Sequence, residues 1–572
     1  MNWDKEVDVL VVGSGNGALT AGICSHDMSK VETGMAADVL VIEKSAHIGG
    51  TSAISGGGVW VPNNRYAKAA GAEDSFEAAY QYLDNTIPKD KVERAMLKSY
   101  LKNAPKMIDF LHENSRVRYV SLGEYPDYFS NLPGSREGHR SMEPEVINWS
   151  ELGDDIDRLR PDGAMYVAGK YAITQREGKK MIEDPAEKKR VVRNMLLRYY
   201  FDIPWLLKGK GFSRRTTGGG AGVIRLFLSL KDRGVPLWTN TALKDLIVED
   251  GKAIGAVIEK DGQLMRVKAR KAVMLGAGGF EHNQAMREEY LPEPTNTQWS
   301  AGNKHNTGDS IRAAQAVGAA TALMDNAWWC TTKEMPNRPY PFLSIVNKSL
   351  PGSICVNMNG ERFSNESQNY MSFLLETFAQ YQEGNPCVPA YMVFDQTFKN
   401  RRSVWPWAMP EKMIPKAYFD EGVIAKADTP EELAAKLNMK PEGLKQTFER
   451  FNGFVDTGKD LDFKRGDAAY DRYYGDTAFT PNPCLGKLDT PPYYAVRINP
   501  GDFGTQGGMV ISEHAQVKNI EGKAIQGLYA FGNNAAAVLP TYPGPGSTLG
   551  PAMTFAYQAA KHVFNFNDVK KA

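Results

Sequence analysis

The residues best suited to chemistry lie near the C-terminus, in Thr541-Tyr542-Pro543-Gly544-Pro545-Gly546-Ser547-Thr548-Leu549-Gly550-Pro551. Two Pro-Gly pairs specify a stiff, tightly turned loop. Ser547 or Thr548 is expected to cap a helix running on through residues 552–560. A helix N-terminus offers free N–H groups and a partial positive charge. Gly546 lets a ligand oxygen reach its own N–H, because no side chain stands in the way. Tyr542 adds a phenol just ahead. Together the two predict a cradle of two donors for an oxygen that gains negative charge during a reaction. The competing expectation is a plain Gly/Pro turn leading into a packed helix.

The elements that must position this loop come from a chain of 572 residues, too long for one hydrophobic core, so two or more domains are expected. A net charge of +1 gives no basis for nucleic-acid binding. Cys24, Cys330, Cys355, Cys387 and Cys484 form no CxxC pair and no disulfide framework, which points to a reducing compartment. The charged start lacks an apolar signal core, and no window of about 18 apolar residues occurs. A cytoplasmic protein without a membrane-spanning helix is therefore expected, and no metal site.

Val7-Asp8-Val9-Leu10-Val11-Val12 reads as a buried strand running into Gly13-Ser14-Gly15-Asn16-Gly17-Ala18 and a helical stretch from Leu19. Gly13 and Gly15 permit a tight turn and close approach of the backbone to a pyrophosphate, which would rest on the helix N-terminus. The small Ala18 takes the position where helix packs on strand. A second strand over 37–42 ends in Glu43, placed to hold ribose hydroxyls. The spacing from Gly13 to Glu43 is long, and Ser25 to Met35 reads as an insertion in the helix-to-strand connection. Strand, glycine turn, helix, strand and acid in this order predict a Rossmann-like dinucleotide unit.

The next small-residue stretch, Lys44-Ser45-Ala46-His47-Ile48-Gly49-Gly50-Thr51-Ser52-Ala53 with Ser55-Gly56-Gly57-Gly58-Val59-Trp60, suits backbone lying against a large flat cofactor. Here the chain resembles flavoproteins of the fumarate reductase, succinate dehydrogenase and 3-ketosteroid dehydrogenase superfamily, in which this stretch lies along FAD. The resemblance implies FAD contacts from Ser14, Gly17 and Ala18 beside the residues above, and from Lys44, Gly50, Thr51, Ser52, Gly57 and Gly58. Later contacts would come from Gly278, Gly532 and Asn533, then Thr548 and Leu549. It also implies an α/β architecture: a Rossmann-like FAD-binding domain from segments 1–288 and 491–572, with an inserted α+β substrate domain over 289–490.

Between these landmarks, periodicity predicts helices over 75–113, with Pro88 ending the first. Glu124 to Gly134 is an aromatic loop containing Tyr128. A charged helical excursion covers 150–215 and ends in an apolar, aromatic patch at 196–210 flanked by Arg and Lys. That patch is expected to pack on the protein itself; the alternative is peripheral contact with a membrane. Thr216 to Gly222 opens a further helix, and Asp261-Gly262 marks a hairpin. Asn306 or Thr307 is expected to cap another helix. A second aromatic loop contains Tyr473.

The Tyr542–Gly546 stretch, continued by Ser547-Thr548-Leu549-Gly550-Pro551-Ala552-Met553, resembles the signature of 3-ketosteroid Δ1-dehydrogenases. It has no arginine, whereas fumarate and succinate enzymes carry arginine-rich dicarboxylate sites. The resemblance implies desaturation between steroid carbons 1 and 2. Tyr542 and the Gly546 N–H would hold the ketone oxygen, acidifying carbon 2. Tyr370, in the stretch beginning Asn365-Glu366, would take the proton, helped by Tyr128, with Tyr473 at the pocket. FAD would accept hydride from carbon 1, and an external acceptor would collect the electrons. The residue types suit this, since a phenol of pKa about 10 serves as base only where neighbours favour its phenolate. Alternatives are a ketosteroid 4-dehydrogenase, an ene reductase of the fumarate reductase kind, or a FAD-binding or membrane-surface protein without catalysis.

Overall fold

The computed structural model describes residues 2–160, 163–336, 338, 340–402 and 404–567. Its first sheet contains β1 (Lys5–Val12), β2 (Val39–Ile42), β3 (Leu237–Trp238), β4 (Thr241–Glu249), β5 (Lys252–Lys260) and β6 (Gln263–Leu275). A second sheet holds β7 (Ala327–Lys333), β8 (Phe342–Leu343), β9 (Ser353–Val356), β10 (Ala390–Phe394), β11 (Ile424–Ala427) and β12 (Tyr493–Thr505). The chain then returns to the first sheet with β13 (Gln516–Lys518) and β14 (Ala524–Ala530).

Parallel pairing in the order β3-β2-β1-β6-β14 makes the centre of the first sheet. Strands buried on both faces need no alternation, and β1 from Val9 to Val12 is apolar and at most 4% exposed. The hairpin of β5 and β6 turns at Asp261 and Gly262, both at positive φ, as a two-residue hairpin requires. The second sheet is antiparallel, ordered β8-β7-β12-β10-β9 with β11 also on β12. Its long strand β12 thus falls after residue 490, where the sequence reading placed the return to the first unit.

Helix α1 (Asn16–Thr33) begins directly after the glycine turn. Its run through Ser25 corrects the expected insertion: Ser25 to Thr33 extend the helix, and only the short link from Gly34 to β2 lies outside it. It packs against α7 (Gly218–Asp232) and the C-terminal α10 (Leu549–Phe564). The remaining helices that matter here are α2 (Phe76–Thr86), α3 (Arg94–Asn114), α4 (Gln175–Glu183), α5 (Pro185–Tyr200), α6 (Ile203–Leu206), α8 (Asp309–Ala316) and α9 (Tyr370–Gln382).

Two expected caps are absent. Thr548 precedes α10 without a side-chain cap, and Ser547 instead closes its own turn, donating to Gly544 O at 2.6 Å. Gly308 precedes α8, again uncapped, because the Asn306 amide is taken by Glu281 Oε1 at 2.6 Å and Thr51 Oγ1 at 3.1 Å. Asn306 is thus drawn off by longer-range polar partners, while Ser547 is held within its own turn.

The 196–210 patch also departs from expectation. Val191, Met195, Tyr199 and Trp205 face inward, but Tyr200, Phe201, Ile203 and Leu207 are 55–83% exposed. Only one side of this helical turn packs on the protein. Among the described residues no helix is long and apolar enough to cross a membrane.

Candidate active site

One continuous cavity runs from the C-terminal ends of β1 and β2, past the start of α1, to the Tyr542 loop. Gly13 adopts φ +103°, and a Cβ there would lie 2.3 Å from Gly276 O, so β1 and β6 can end this close only with glycine. Ser14 Oγ donates to Glu43 Oε2 at 2.5 Å and accepts from the Gly49 N–H at 2.9 Å. Glu43 Oε1 accepts from the Ser45 N–H at 2.9 Å, which fixes the carboxylate at the strand end. The Lys44 ammonium is held by Asp309 and Thr307 at 2.6 and 2.7 Å.

The residues expected along a dinucleotide all border this cavity, from Gly13 through Gly58 and on to Gly278, Asn533 and Leu549, with Ala18 the exception. Ala18 is fully buried, and its methyl fills the space beside Gly276, 3.1 Å from where a Cβ on that glycine would stand. It packs helix on strand rather than facing a ligand. A Cβ on Gly50 would meet nothing nearer than Asn303 Nδ2 at 3.7 Å. At Gly50 the wall is bare backbone opening onto space, and the start of α1 lies along the same cavity. That is the fit a long, flat, pyrophosphate-containing cofactor requires.

At the other end three phenols meet. The rings of Tyr128, Tyr370 and Tyr542 lie 5.5–5.6 Å apart pairwise, and all three side chains are buried. Tyr128 Oη donates to Tyr370 Oη at 3.2 Å. Burial pushes the Tyr542 phenol up, while the Tyr370 phenol and the Gly546 N–H pull it back. The Gly546 N–H thus lies close to the Tyr542 phenol, at the end of the cavity that both residues border. Burial and the neighbouring Tyr542 push the Tyr370 phenol well above its ordinary value, and the hydrogen bond from Tyr128 opposes them.

The loop is held from three sides. Pro543 O accepts from Tyr82 Oη of α2 at 2.6 Å and from the Tyr128 N–H at 2.9 Å. Pro545 O accepts from Ser141 Oγ at 2.8 Å. Tyr542 itself sits at φ +57°, a conformation non-glycine residues avoid and surrounding structure must impose. Asp127, beside Tyr128, accepts from Trp60 Nε1 at 2.8 Å and from Arg140 Nη1 at 2.7 Å, and Arg140 also clasps Asp74. Trp60, Asp127, Tyr128 and Arg140 are buried and the Asp74 side chain is 6% exposed, so the Tyr128 loop is fastened by a charged knot under the site.

Tyr370 is the first residue of α9, capped by Asn369, whose side chain accepts from the Ser372 N–H. Glu366 does not face the cavity. It pairs with Arg362 at 2.7 Å and Arg465 at 3.1 Å, and although burial pushes its carboxyl up, these guanidiniums hold it below the ordinary value. The fully buried Lys348 donates to the carbonyls of Glu366 and Gln368. The Asn-Glu stretch before Tyr370 is an anchor.

Tyr473 also borders the cavity, stacked on Tyr125 at 4.2 Å. Sequence reasoning passed over Tyr125, Tyr474, Trp328 and Phe503, which close the pocket around the three phenols. Tyr125 lies three residues before Tyr128 in the same aromatic loop, which was the available signal. It equally missed Lys179, Lys188, Arg401 and Arg402, whose scattered positions give no pattern.

The FAD binding domain family matches residues 8–549. The 3-oxosteroid 1-dehydrogenase of Mycolicibacterium smegmatis is 38% identical, covering 97% of both chains. The 4-oxocyclohexanecarboxylate 2-dehydrogenase of Sinomonas cyclohexanicum is 35% identical over 97% of this chain and 92% of that one. The crystal structure of 3-ketosteroid Δ1-dehydrogenase from Sterolibacterium denitrificans, in complex with 1,4-androstadiene-3,17-dione, superposes with a TM-score of 0.92 at 40% identity. It covers 98% of this chain and all of that one.

Proposed function

The chain belongs to the FAD-binding flavoprotein family that includes the 3-oxosteroid 1-dehydrogenases, and from that premise we propose that it desaturates ring A of a 3-ketosteroid. The observation that carries this reading is the meeting of Tyr542, the Gly546 N–H and the Tyr128–Tyr370 pair at one end of the cofactor cavity.

A saturated carbon pair reacts only if one hydrogen becomes acidic. Tyr542 Oη and the Gly546 N–H hold the carbonyl oxygen at carbon 3 and stabilise the charge it gains on enolisation. Tyr370 removes the proton from carbon 2, with Tyr128 donating to the phenolate oxygen that this requires. Burial keeps water from the enolate. FAD would be held by the glycine wall from Gly13 to Gly58 and by Gly278 and Asn533, and would supply the acceptor for the hydride of carbon 1 and the link to an external electron acceptor.

The architecture this implies is a FAD-binding unit assembled around the first sheet and a substrate unit around the second, with β12 completing the latter. The reading also takes the protein to be cytoplasmic. The exposed apolar turn at Tyr200–Leu207, with Lys208 and Lys210 beside it, suits peripheral contact with a membrane from which a sterol-like substrate is drawn.

The test is anaerobic addition of 4-androstene-3,17-dione to the flavin-loaded protein. Bleaching of flavin absorbance, with a product two mass units lighter, is the expected result. A flavin that stays oxidised with every 3-ketosteroid offered defeats the reading.

A further inference from the structure

The substrate part of the cavity has two ends of different character. Helix α4 begins beside the catalytic loop: Gln175 Nε2 donates to Gly56 O and stands near Gly58, whose other neighbour is Pro545. Seven residues on, Ile182 O accepts from Arg402 Nη1 at 2.8 Å. Along a helix that separation is about 10 Å, the scale of a fused-ring skeleton lying between the two points. Apolar side chains such as Met181, Ile182, Ile345 and Val346 line the cavity along the way.

At the Ile182 end stand Lys188, Arg401 and Arg402, all bordering the cavity. Asp476, fully buried, takes both arginines, with Arg401 at 2.6 Å. Lys188 donates only to the Arg401 carbonyl, at 3.0 Å, and forms no ion pair among the described residues. Burial and the charges of Arg402 and Arg401 hold its pKa below the usual lysine range. The acids near it in sequence are committed elsewhere, Glu183 to Lys179, Glu187 to Arg190, and Asp184 to the Ala186 N–H as the cap of α5. Arg401 Nε is buried without a partner. Three cations therefore share one carboxylate, in a partly desolvated place where surplus charge is costly unless a counter-charge arrives.

Resting on the dehydrogenase reading above, we infer that the preferred substrate carries a carboxylate at the end remote from the ring-A ketone, received by Lys188 and Arg401 beside Arg402. Two oxygens of a carboxylate match the guanidinium fork, and the lysine supplies a third donor. An uncharged tail can accept a hydrogen bond from these donors but brings no counter-charge, so it gains less from them.

The experiment compares a 3-oxo-4-ene steroid bearing a side-chain carboxylic acid with its methyl ester and with 4-androstene-3,17-dione. The expected result is a kcat/KM for the acid roughly tenfold above that of the ester, carried by KM and shrinking as salt is raised. In Lys188→Met and in Arg401→Met the acid-to-ester ratio falls toward one, with bound-flavin absorbance and thermal unfolding reporting that each variant is folded. If one does not fold, Lys188→Gln and the salt titration of the unaltered protein carry the test. Equal use of acid and ester by the unaltered protein overturns this inference while the dehydrogenase reading stands. So does a preference that survives both substitutions. Failure to oxidise any 3-ketosteroid removes both.

Discussion

The phenol of Tyr128 donates to the phenol of Tyr370 across 3.2 Å, with the two rings edge to face. The direction of that hydrogen bond distinguishes the two residues. A base must carry negative charge on its oxygen, and the residue that receives a donor is the one whose anion is stabilised. Tyr370→Phe is therefore expected to abolish most turnover. Tyr128→Phe, which removes one hydrogen bond to a charged group, is expected to cost about ten- to a hundredfold in kcat. Steady-state rates of the two variants check this, and a Tyr128 variant slower than the Tyr370 variant reverses the roles.

The same pair sets a pH dependence. Burial holds the Tyr370 phenol above its ordinary value, so at neutral pH little of it is phenolate. The active fraction grows as pH rises towards that raised pKa, so kcat should climb by up to about tenfold per unit on the acid side. The limb should be missing from the residual activity of Tyr370→Phe. A flat profile in the unaltered protein shows that another group takes the proton.

On the proposed mechanism, Tyr542→Phe removes one of two donors from the ketone oxygen and nothing from the glycine wall. The variant should bind FAD normally and lose about 10²- to 10³-fold in kcat, the usual cost of one oxyanion donor. Flavin content and rate measured on the same sample separate the two effects. Loss of flavin together with rate would mean that Tyr542 shapes the cofactor site instead.

Much of this was legible in the sequence, for a definite reason. The strand from Val7, the glycine turn and Glu43 are consecutive, so local pattern alone reveals them. The loop from Tyr542 to Gly546 is likewise contiguous, and its Pro-Gly pairs leave few conformations open. What could not be read depends on distant partners. Asn306 is drawn away from α8 by Glu281, 25 residues before it. Ser25 to Thr33 looked like an insertion because periodicity does not reveal where a helix stops when its C-cap is Gly34 and its polar face is solvated. Lys188, Arg401 and Arg402 meet only through tertiary packing, so no spacing could disclose them.

The knot beneath the Tyr128 loop should be a stability element. Arg140 is 2% exposed and satisfies two buried carboxylates, Asp127 and Asp74. Arg140→Met leaves Asp127 buried without its cation and leaves Asp74 with only Arg136, 3.7 Å away. Breaking a buried pair in this way costs about 3–5 kcal/mol. A lowered denaturation midpoint, with an unchanged dependence on denaturant, is the expected reading. A midpoint within experimental error of the unaltered protein would show that water reaches Asp127 and Asp74.

Gly546→Ala tests the close approach of loop and cofactor wall. Gly546 has φ +101°, and a Cβ there would stand 2.4 Å from the Gly58 carbonyl carbon. Backbone on both sides leaves no flexible side chain to yield. The loop must shift, moving the N–H away from the Tyr542 phenol and Gly58 away from the cofactor. Unlike Tyr542→Phe, this variant should lose flavin and activity together. Retention of full flavin with a reduced rate would confine the effect to the oxyanion side.

The final prediction concerns the exposed turn after α5. Phe201 and Leu207 are 76% and 83% exposed, beside Lys208 and Lys210, on a surface left open among the described residues. Large apolar side chains held in water beside basic ones match an interfacial contact, where apolar burial and attraction to anionic lipid add. The protein should co-sediment with vesicles containing anionic lipid, less so as salt rises. Phe201→Glu with Leu207→Glu should abolish sedimentation while a substrate delivered in detergent is still oxidised, because neither residue borders the cavity. Vesicle binding that survives the double substitution would move the contact to another face, and loss of activity in detergent would make the turn part of the entrance to the site.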